Sequence, residues 1–465
     1  MSYDFDLIAI GSGPSGQRAA VQAAKAGKRA AVIEQHQMLG GECLFNGTIP
    51  SKTFRESVLW FVNAAGANPH DPFNRPAPPT IQQLVQRVQD VIAAEATVIA
   101  NQLARNNVKL LLGTASFDDP HTIKIAGPDG SRQITGDRIV IAVGTRPAKP
   151  PGVEADGQII LTSDEVLKMP SIPRTMCVVG GGVIGMEYAS MFATLGVEVT
   201  LIEKRDRPME FLDHEIVDEM LHQMRNRNMV FRLGETVSRL ELKVNGTGQR
   251  RATIHLESGK HIVSEMVLFS VGRQGATDPL NLPAAGLAAD DRGRIKVDQS
   301  YRSEVPHIFA AGDVIGYPSL AATSSEQGRL AACCALDIAC APMPAHYPIG
   351  IYAIPEISMV GSTEQDLTAK KIPYEVGEAR YREIARGHIL RDDSGFFKML
   401  FHQQTRKLLG VHIIGTGATE LIHTGQAVLA LGGGVDYFLQ TVFNYPTLAE
   451  CYKVAALDAA QKLNQ

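Results

Sequence analysis

Two carboxylates, Glu34 and Glu203, occupy matching places in two copies of one pattern. Each stands eighteen residues past the last glycine of a Gly-x-Gly-x-x-Gly triplet: Gly11, Gly13 and Gly16 in the first copy, Gly180, Gly182 and Gly185 in the second. Such a set has the chemistry to hold a dinucleotide. The first glycine makes a tight turn, the second leaves room for a pyrophosphate to approach the backbone, and the third lets a helix pack close to its strand. The helix N-terminus then offers N–H groups and the positive end of its dipole to phosphates. The carboxylate accepts hydrogen bonds from a ribose diol. Lys204, Arg205 and Arg207 follow Glu203 directly. Their cationic groups can pair with the 2′-phosphate that Glu203 alone would repel. The same bases read equally well as a solvated strand end.

The elements that must carry these residues are legible around them. Asp6–Ile10 is a short apolar run, Ala19–Ala26 a small-residue helix, and Arg29–Ile33 a second strand. The second copy repeats this as strand Met176–Val179, helix Met186 to about Leu195 and strand Val197–Ile202. Two units with equal internal spacing predict two dinucleotide sites in one chain. Between them, Asn68–Thr80 reads as a loop and Ile81–Asn106 has helical periodicity. Ile139–Val143 is a strand that ends in Gly144, Thr145, Arg146 and Pro147; Pro150, Pro151 and Gly152 then mark a domain crossing. Met266–Val271 runs into Gly272 and Arg273, and Ile308–Ala311 into Gly312 and Asp313. From Tyr347 onward the glycine turns stop. Strand-like Phe396–Phe401 and Leu408–Ile414 precede helices at Glu420–Leu431 and Leu448–Leu463.

Bulk properties exclude several classes. Lys and Arg total 45 against 49 for Asp and Glu, a net charge of −4 with no polybasic cluster, so no nucleic-acid partner is expected. No apolar run approaches the length of a membrane span. Met1–Ile10 has no basic n-region and leads straight into a strand, so no signal peptide and a cytoplasmic location are expected. The six cysteines, Cys43, Cys177, Cys333, Cys334, Cys340 and Cys451, match no zinc spacing, and no metal is expected. Cys333, Cys334 and Cys340 lie in an Ala-rich stretch that reads as helix, where they are expected to be small buried apolar side chains.

Two glycine-turn units, the Gly312-Asp313-Val314 segment and the α+β tail together resemble the flavoprotein disulfide reductases, over essentially the whole chain. The resemblance implies an α/β protein with two Rossmann-like domains and a C-terminal α+β dimerisation domain. The FAD domain would be discontinuous, at 1–151 and 277–345, with the NAD(P) domain at 152–276 and the dimerisation domain at 346–465. It implies FAD on the first unit and NAD(H) or NADP(H) on the second, with Asp313 holding the flavin ribityl and phosphate region, and a homodimer as the assembly. The segment Gly40 to Lys52 looks like the family's redox motif with one departure: Cys43 is present, but Thr48 stands where the second, flavin-facing cysteine belongs. A lone thiol closes no intramolecular disulfide. A second departure fits the first. Where the family has His-Pro-Thr and then a glutamate, this chain has Tyr445, Pro446, Thr447 and Glu450. A tyrosine with an ordinary pKa near ~10 shuttles no protons at neutral pH.

The stretches Gly47–Lys52, Phe443–Thr447 and Gly312–Leu320 are similar to the soluble, Si-specific pyridine nucleotide transhydrogenase branch of that family. This implies hydride exchange between NADPH and NAD⁺ through the flavin and one nicotinamide site. The resemblance puts Lys52 and Glu187 beside the flavin as an ion pair. It adds Cys43, Thr48, Ala115, Gly144, Thr145, Leu320 and Ala321 to the FAD contacts, and Gly272 to the nicotinamide ribose path. Cys43 is expected to pack as a small apolar side chain, and His423 to be structural. Two other readings stay open: an NAD(P)H oxidase or diaphorase using Cys43 as a single redox thiol, and a redox-sensing binding protein without turnover.

Overall fold

A computed structural model describes residues 3–64, 79–127, 130–149, 155–244 and 250–463. The loop expected at Asn68–Thr80 and the crossing at Pro150–Gly152 lie almost wholly outside these residues.

The first glycine unit builds a parallel sheet. Phe5–Ile10 lies between Ala30–Glu34 and Gly130–Ile141, with Lys109–Leu112 at one edge. Ile308–Ala310 returns late in the chain to pair in parallel with Gly130–Ile141, so this domain is discontinuous. An antiparallel meander of Thr114–Phe117 and Thr122–Gly127 extends the same sheet. The central strands are near-continuous apolar runs because both faces are covered, one by helices and the other by the meander and the segment Leu280 to Ile295. On one face the helices Pro14–Lys25 and Ala321–Ala335 touch backbone to backbone. A Cβ at Gly328 would stand 2.0 Å from the Ser15 carbonyl oxygen, so only glycine permits this approach.

The second unit repeats the plan as a five-stranded sheet, in the order Val230–Leu233, Glu198–Glu203, Thr175–Val179, Met266–Phe269, Ile160–Thr162. A three-stranded antiparallel sheet of Val237–Val244, Arg250–Leu256 and His261–Ser264 stands beside it. The chain passes between the two nucleotide domains on a two-stranded ribbon, Thr145–Pro147 against Arg273–Gly275. Both glycine-turn helices begin earlier than their apolar pattern suggests, at Pro14 and Val183, because the turn glycines themselves are the N-caps.

The C-terminal region is a five-stranded antiparallel sheet, ordered Ile349–Ile351, Ile357–Gly361, Leu408–Ile414, Phe396–His402, Tyr374–Arg380, backed by helices Ala418–Ala430 and Glu450–Leu463. It is locked to the second nucleotide domain by a buried charge cluster. Lys398 is fully buried, and its ammonium donates to Asp213 at 3.0 Å, to Glu215 at 2.8 Å and to Glu364. Asp213 also caps the helix His214–Arg225 through Glu215 N–H. The three carboxylates are close enough together to hold a cation, and the Lys398 ammonium sits among them.

No described helix is long and apolar enough to cross a membrane. The three neighbouring cysteines divide in their surroundings. Cys333 is buried as expected, Cys334 is half-buried, and Cys340 is exposed, because the helix ends at Ala335 before reaching it.

Candidate nucleotide and flavin site

The two glycine units match at the level of atoms. Glu34 Oε2 accepts from Ser12 N–H at 3.1 Å and its Oε1 from His36 N–H at 2.9 Å. Glu203 Oε2 accepts from Gly181 N–H at 2.7 Å and its Oε1 from Arg205 N–H at 3.0 Å. In both copies the carboxylate is buried and bridges the residue after the first glycine to the residue two past itself. The copies then diverge. Ser12 Oγ donates to Glu34 at 2.6 Å. In the second copy the Arg205 guanidinium clasps Glu203, with Nε 2.9 Å from Oε1 and Nη2 3.1 Å from Oε2. Burial raises the Glu203 pKa, but the hydrogen bonds from Arg205 and Gly181 outweigh it and hold the carboxyl below its ordinary range. Arg205 is thus engaged within the turn, and Lys204 is exposed beside it. Arg207 points elsewhere, to Asp218 and the His214 carbonyl.

The backbone around both turns fits a dinucleotide. Gly13 and Gly182 are N-caps with no side chain closing the helix end, and a Cβ at either would meet nothing within 4 Å. The same open space lies at Gly144 and Gly272, both with positive φ. Leu320, the N-cap of the helix that starts at Ala321, likewise has no capping side chain. Unfilled donors at helix ends facing open space are what phosphates and flavin carbonyls use. Gly11 and Gly16 do the packing work: a Cβ at Gly11 would stand 2.4 Å from Ala142 O, and one at Gly16 1.9 Å from Gly11 O. Gly180 and Gly185 repeat this against Ser270 O and Gly180 O.

Two segments converge on the Gly13 turn. A Cβ on Gly41 would be 2.9 Å from Gly13 Cα, and one on Gly312 would be 2.6 Å from Ser15 Oγ. These contacts bring Cys43 and Asp313 to the mouth of the first site. Asp313 accepts from Ser324 Oγ at 3.0 Å, and burial raises its pKa. The Cys43 thiol is pushed up by burial, against the hydrogen bond it makes with Thr48. Cys43 and Thr48 therefore face each other as a pair of thiols would, with a hydroxyl as the second member. Lys52, one turn further along the helix Thr48–Ala64, reaches Glu187 on the helix Val183–Thr194 at 2.7 Å. Ala115, by contrast, turns its side chain into the sheet core, two residues past Gly113, whose N–H donates to the Glu34 carbonyl at 2.8 Å. Tyr445 stands 73% exposed on the C-terminal domain, and no hydrogen bond joins it to Cys43 or Thr48 among the described residues. His423 is exposed and, among the described residues, bonds only to Gln426.

Two residues that sequence reasoning passed over hold the site together. Tyr352 N–H donates to Glu187 Oε1 at 2.8 Å, and the Tyr352 ring lies 5.1 Å from Lys52 Nζ. Arg273 donates to Thr145 Oγ1 at 2.9 Å and to its carbonyl at 2.8 Å, and pairs with Glu42 at 3.2 Å and Asp164 at 3.5 Å. It ties the domain-crossing ribbon to the Cys43 segment. The strand end Gly272-Arg273 was the available signal. Nothing in the sequence marks Tyr352, which arrives from another domain.

Paired dinucleotide folds flanking a cysteine loop, with an antiparallel α+β domain behind them, define a flavoprotein-type pyridine nucleotide oxidoreductase, and comparison agrees. Residues 5–328 match the pyridine nucleotide-disulphide oxidoreductase model, and residues 347–456 its dimerisation domain. The chain belongs to this family and is an oxidoreductase enzyme. Within the family, it is 50% identical to the soluble pyridine nucleotide transhydrogenase of Mycobacterium bovis (strain BCG / Pasteur 1173P2) over 99% of this chain and 98% of that one. It is 43% identical to the protein of the same name from Colwellia psychrerythraea (strain 34H), over 99% of both. Its fold is similar to that of the HOCl-induced flavoprotein disulfide reductase RclA from Escherichia coli, with a TM-score of 0.86 at 25% identity, covering 97% of this chain and 99% of that one.

Proposed function

We propose that this enzyme binds FAD and catalyses hydride transfer between NADPH and NAD⁺ through one nicotinamide site, without a redox disulfide. The observation that carries the reading is the Cys43–Thr48 pair. The site places a hydroxyl where a dithiol would have its second sulfur, so electrons have no disulfide route out, and a second nucleotide is the acceptor in this reading. The name shared by the full-length relatives supports it.

When bound, FAD supplies the two-electron chemistry between the nucleotides. The protein's part is binding, orientation and charge. Gly11, Gly13, Gly16, Glu34, Gly144, Thr145, Asp313, Leu320 and Ala321 form the FAD cradle, with the backbone at Ala115. Gly180, Gly182, Gly185, Glu203, Lys204, Arg205 and Gly272 receive the nicotinamide nucleotide. Lys52 brings a positive charge to the flavin side, and Glu187, fixed by Tyr352 N–H, fixes Lys52. The nucleotide turn can serve both substrates. Glu203 accepts the diol of NADH, and Arg205 leaves Glu203 for the 2′-phosphate of NADPH. The assembly is a homodimer through residues 346–465, in the cytoplasm.

Hydride transfer from NADPH to thio-NAD⁺ by the FAD-loaded protein under nitrogen tests the proposal. Turnover is expected. Its absence, with brisk oxygen consumption in air, would favour the oxidase reading instead. The raised pKa of Cys43 speaks against that alternative, since it keeps the thiol protonated and unreactive.

A further inference from the structure

The crossing from the flavin domain to the C-terminal domain carries a second arrangement of sulfur, remote from Cys43. The helix Ala321–Ala335 ends in a left-handed residue, Asp337, and Ile338 N–H returns to the Cys333 carbonyl at 2.8 Å. This turn folds the chain back on the last helical turn. Cys340, exposed at the surface, is thereby brought back beside the buried Cys333, near enough for the two thiols to act on each other electrostatically. Cys334, next in sequence to Cys333, also lies within electrostatic reach of Cys340 but has Ser300 beside it as well. One turn back on the helix, Arg329 Nη1 lies 3.8 Å from Cys333 Sγ, steadied by Glu326 at 2.5 Å and 3.0 Å. One accessible thiol, one sheltered thiol beside it and a guanidinium alongside form a pair ready for two-electron oxidation.

We propose that Cys333 and Cys340 are a reversible dithiol that hydroperoxides convert to a disulfide. The Cys340 thiolate attacks the outer peroxide oxygen. An S–O bond forms, the O–O bond breaks, and the alkoxide leaves and takes up a proton. The Cys333 sulfur then attacks the resulting sulfenic sulfur. The S–S bond forms, the S–O bond breaks, and hydroxide departs as water with the Cys333 proton. Two thiols lose two electrons, and one hydroperoxide is reduced to an alcohol and water. The roles follow from exposure. Burial and the neighbouring Cys340 push the Cys333 thiol up to about 11, against Arg329, so it is not the sulfur that first meets the oxidant. The closed bond spans the turn that leads out of the flavin domain. It reopens by thiol exchange at the accessible Cys340 sulfur.

The test uses the full-length FAD-loaded protein and one equivalent of hydrogen peroxide, then iodoacetamide in denaturant and trypsin without reductant. Cleavage after Arg329 and Lys370 leaves all three cysteines in one peptide. The expected product in at least half the chains has lost two hydrogens and carries one alkylated cysteine, and dithiothreitol restores three alkylatable thiols. Cys334→Ser should keep the loss of two hydrogens, while Cys340→Ser, at an exposed position, should abolish it and leave turnover unchanged. Three alkylated cysteines after peroxide would overturn the proposal. So would a cross-link that survives Cys340→Ser or is lost in Cys334→Ser.

Discussion

Lys52 Nζ lies 2.7 Å from Glu187 Oε2, joining the helix that follows Cys43 to the helix of the second glycine turn. Glu187 is 3% exposed and Lys52 24%, so the pair is held mainly by the protein, and water screens it little. Glu187→Gln keeps the shape and the acceptor for Tyr352 N–H but removes the charge that fixes Lys52. A hydrogen bond to a charged group is worth about 1.5–3 kcal/mol. Anaerobic stopped-flow should show flavin bleaching by NADPH and NADH slowed roughly ten- to a hundred-fold, with FAD content unchanged. Rates within twofold of the parent would remove Lys52 and Glu187 from the chemistry.

Thr48 hydrogen-bonds Cys43, so Thr48→Cys should place two sulfurs in contact. The parent has six free cysteines, and two-electron reduction should bleach it without a long-wavelength band. The variant should form a disulfide with Cys43 and show that band on reduction. Tyr445 remains in place of a proton carrier, however, and general acid–base catalysis is worth about 10²–10⁴-fold. A small aromatic disulfide should therefore be reduced slowly by Thr48→Cys, and faster than additively when Tyr445→His is added. Equal rates for the single and double variants would show that position 445 has no acid–base role.

The repeat that carries both nucleotide sites was readable because its parts are local: glycines at fixed offsets, apolar strands and a closing acid. Glu34 and Glu203 stand where that spacing puts them, bonded to backbone as the pattern implies. Contacts that join distant segments were not readable. Tyr352 reaches Glu187 across 165 residues, and Arg273 reaches Glu42 across 231. Periodicity carries no information at such range. The burial expected for Cys340 failed for a related reason. An Ala-rich run says helix, but the left-handed turn at Asp337 that ends it has no composition signal.

Arg205 clasps Glu203 with two hydrogen bonds. Replacing Lys204 and Arg205 with Ala should raise KM for NADPH roughly ten- to a hundred-fold, from the loss of a charge-assisted bond worth about 1.5–3 kcal/mol. It should also free Glu203 for the ribose diol, so KM for NADH should stay the same or fall. Initial rates with each nucleotide decide it: equal increases for both would show that neither base reads the 2′-phosphate.

Lys398 is the only cation among the described residues bonded to Asp213, Glu215 and Glu364 at the seam between the second nucleotide domain and the C-terminal domain. Burial lowers the pKa of Lys398, but its bonds to Glu215, Glu364 and Asp213 raise it further, so the net direction is up. That contribution is present below the ordinary lysine range and lost as pH rises through the raised value. Lys398→Met inverts the pH dependence on the acid side. Three carboxylates would then repel one another, bind protons more tightly folded than unfolded, and penalise the native state most at high pH. Breaking a buried pair costs roughly 3–5 kcal/mol. Glu215 is 44% and Glu364 31% exposed, which puts the expected loss at about 3 kcal/mol at pH 8. His412 pairs with Lys398 across the sheet, and burial holds its imidazole below the ordinary 6.5. It therefore subtracts stability from the parent as pH falls below that value; the Lys398 charge helps to hold it down, so the variant loses less there, and the difference between the two proteins narrows toward low pH for this reason as well. Thermal unfolding of both proteins from pH 8 to pH 5 should show that difference shrinking as the carboxylates regain protons. A gap that is constant or widens toward pH 5 would mean that Lys398 matters through packing and not through its charge.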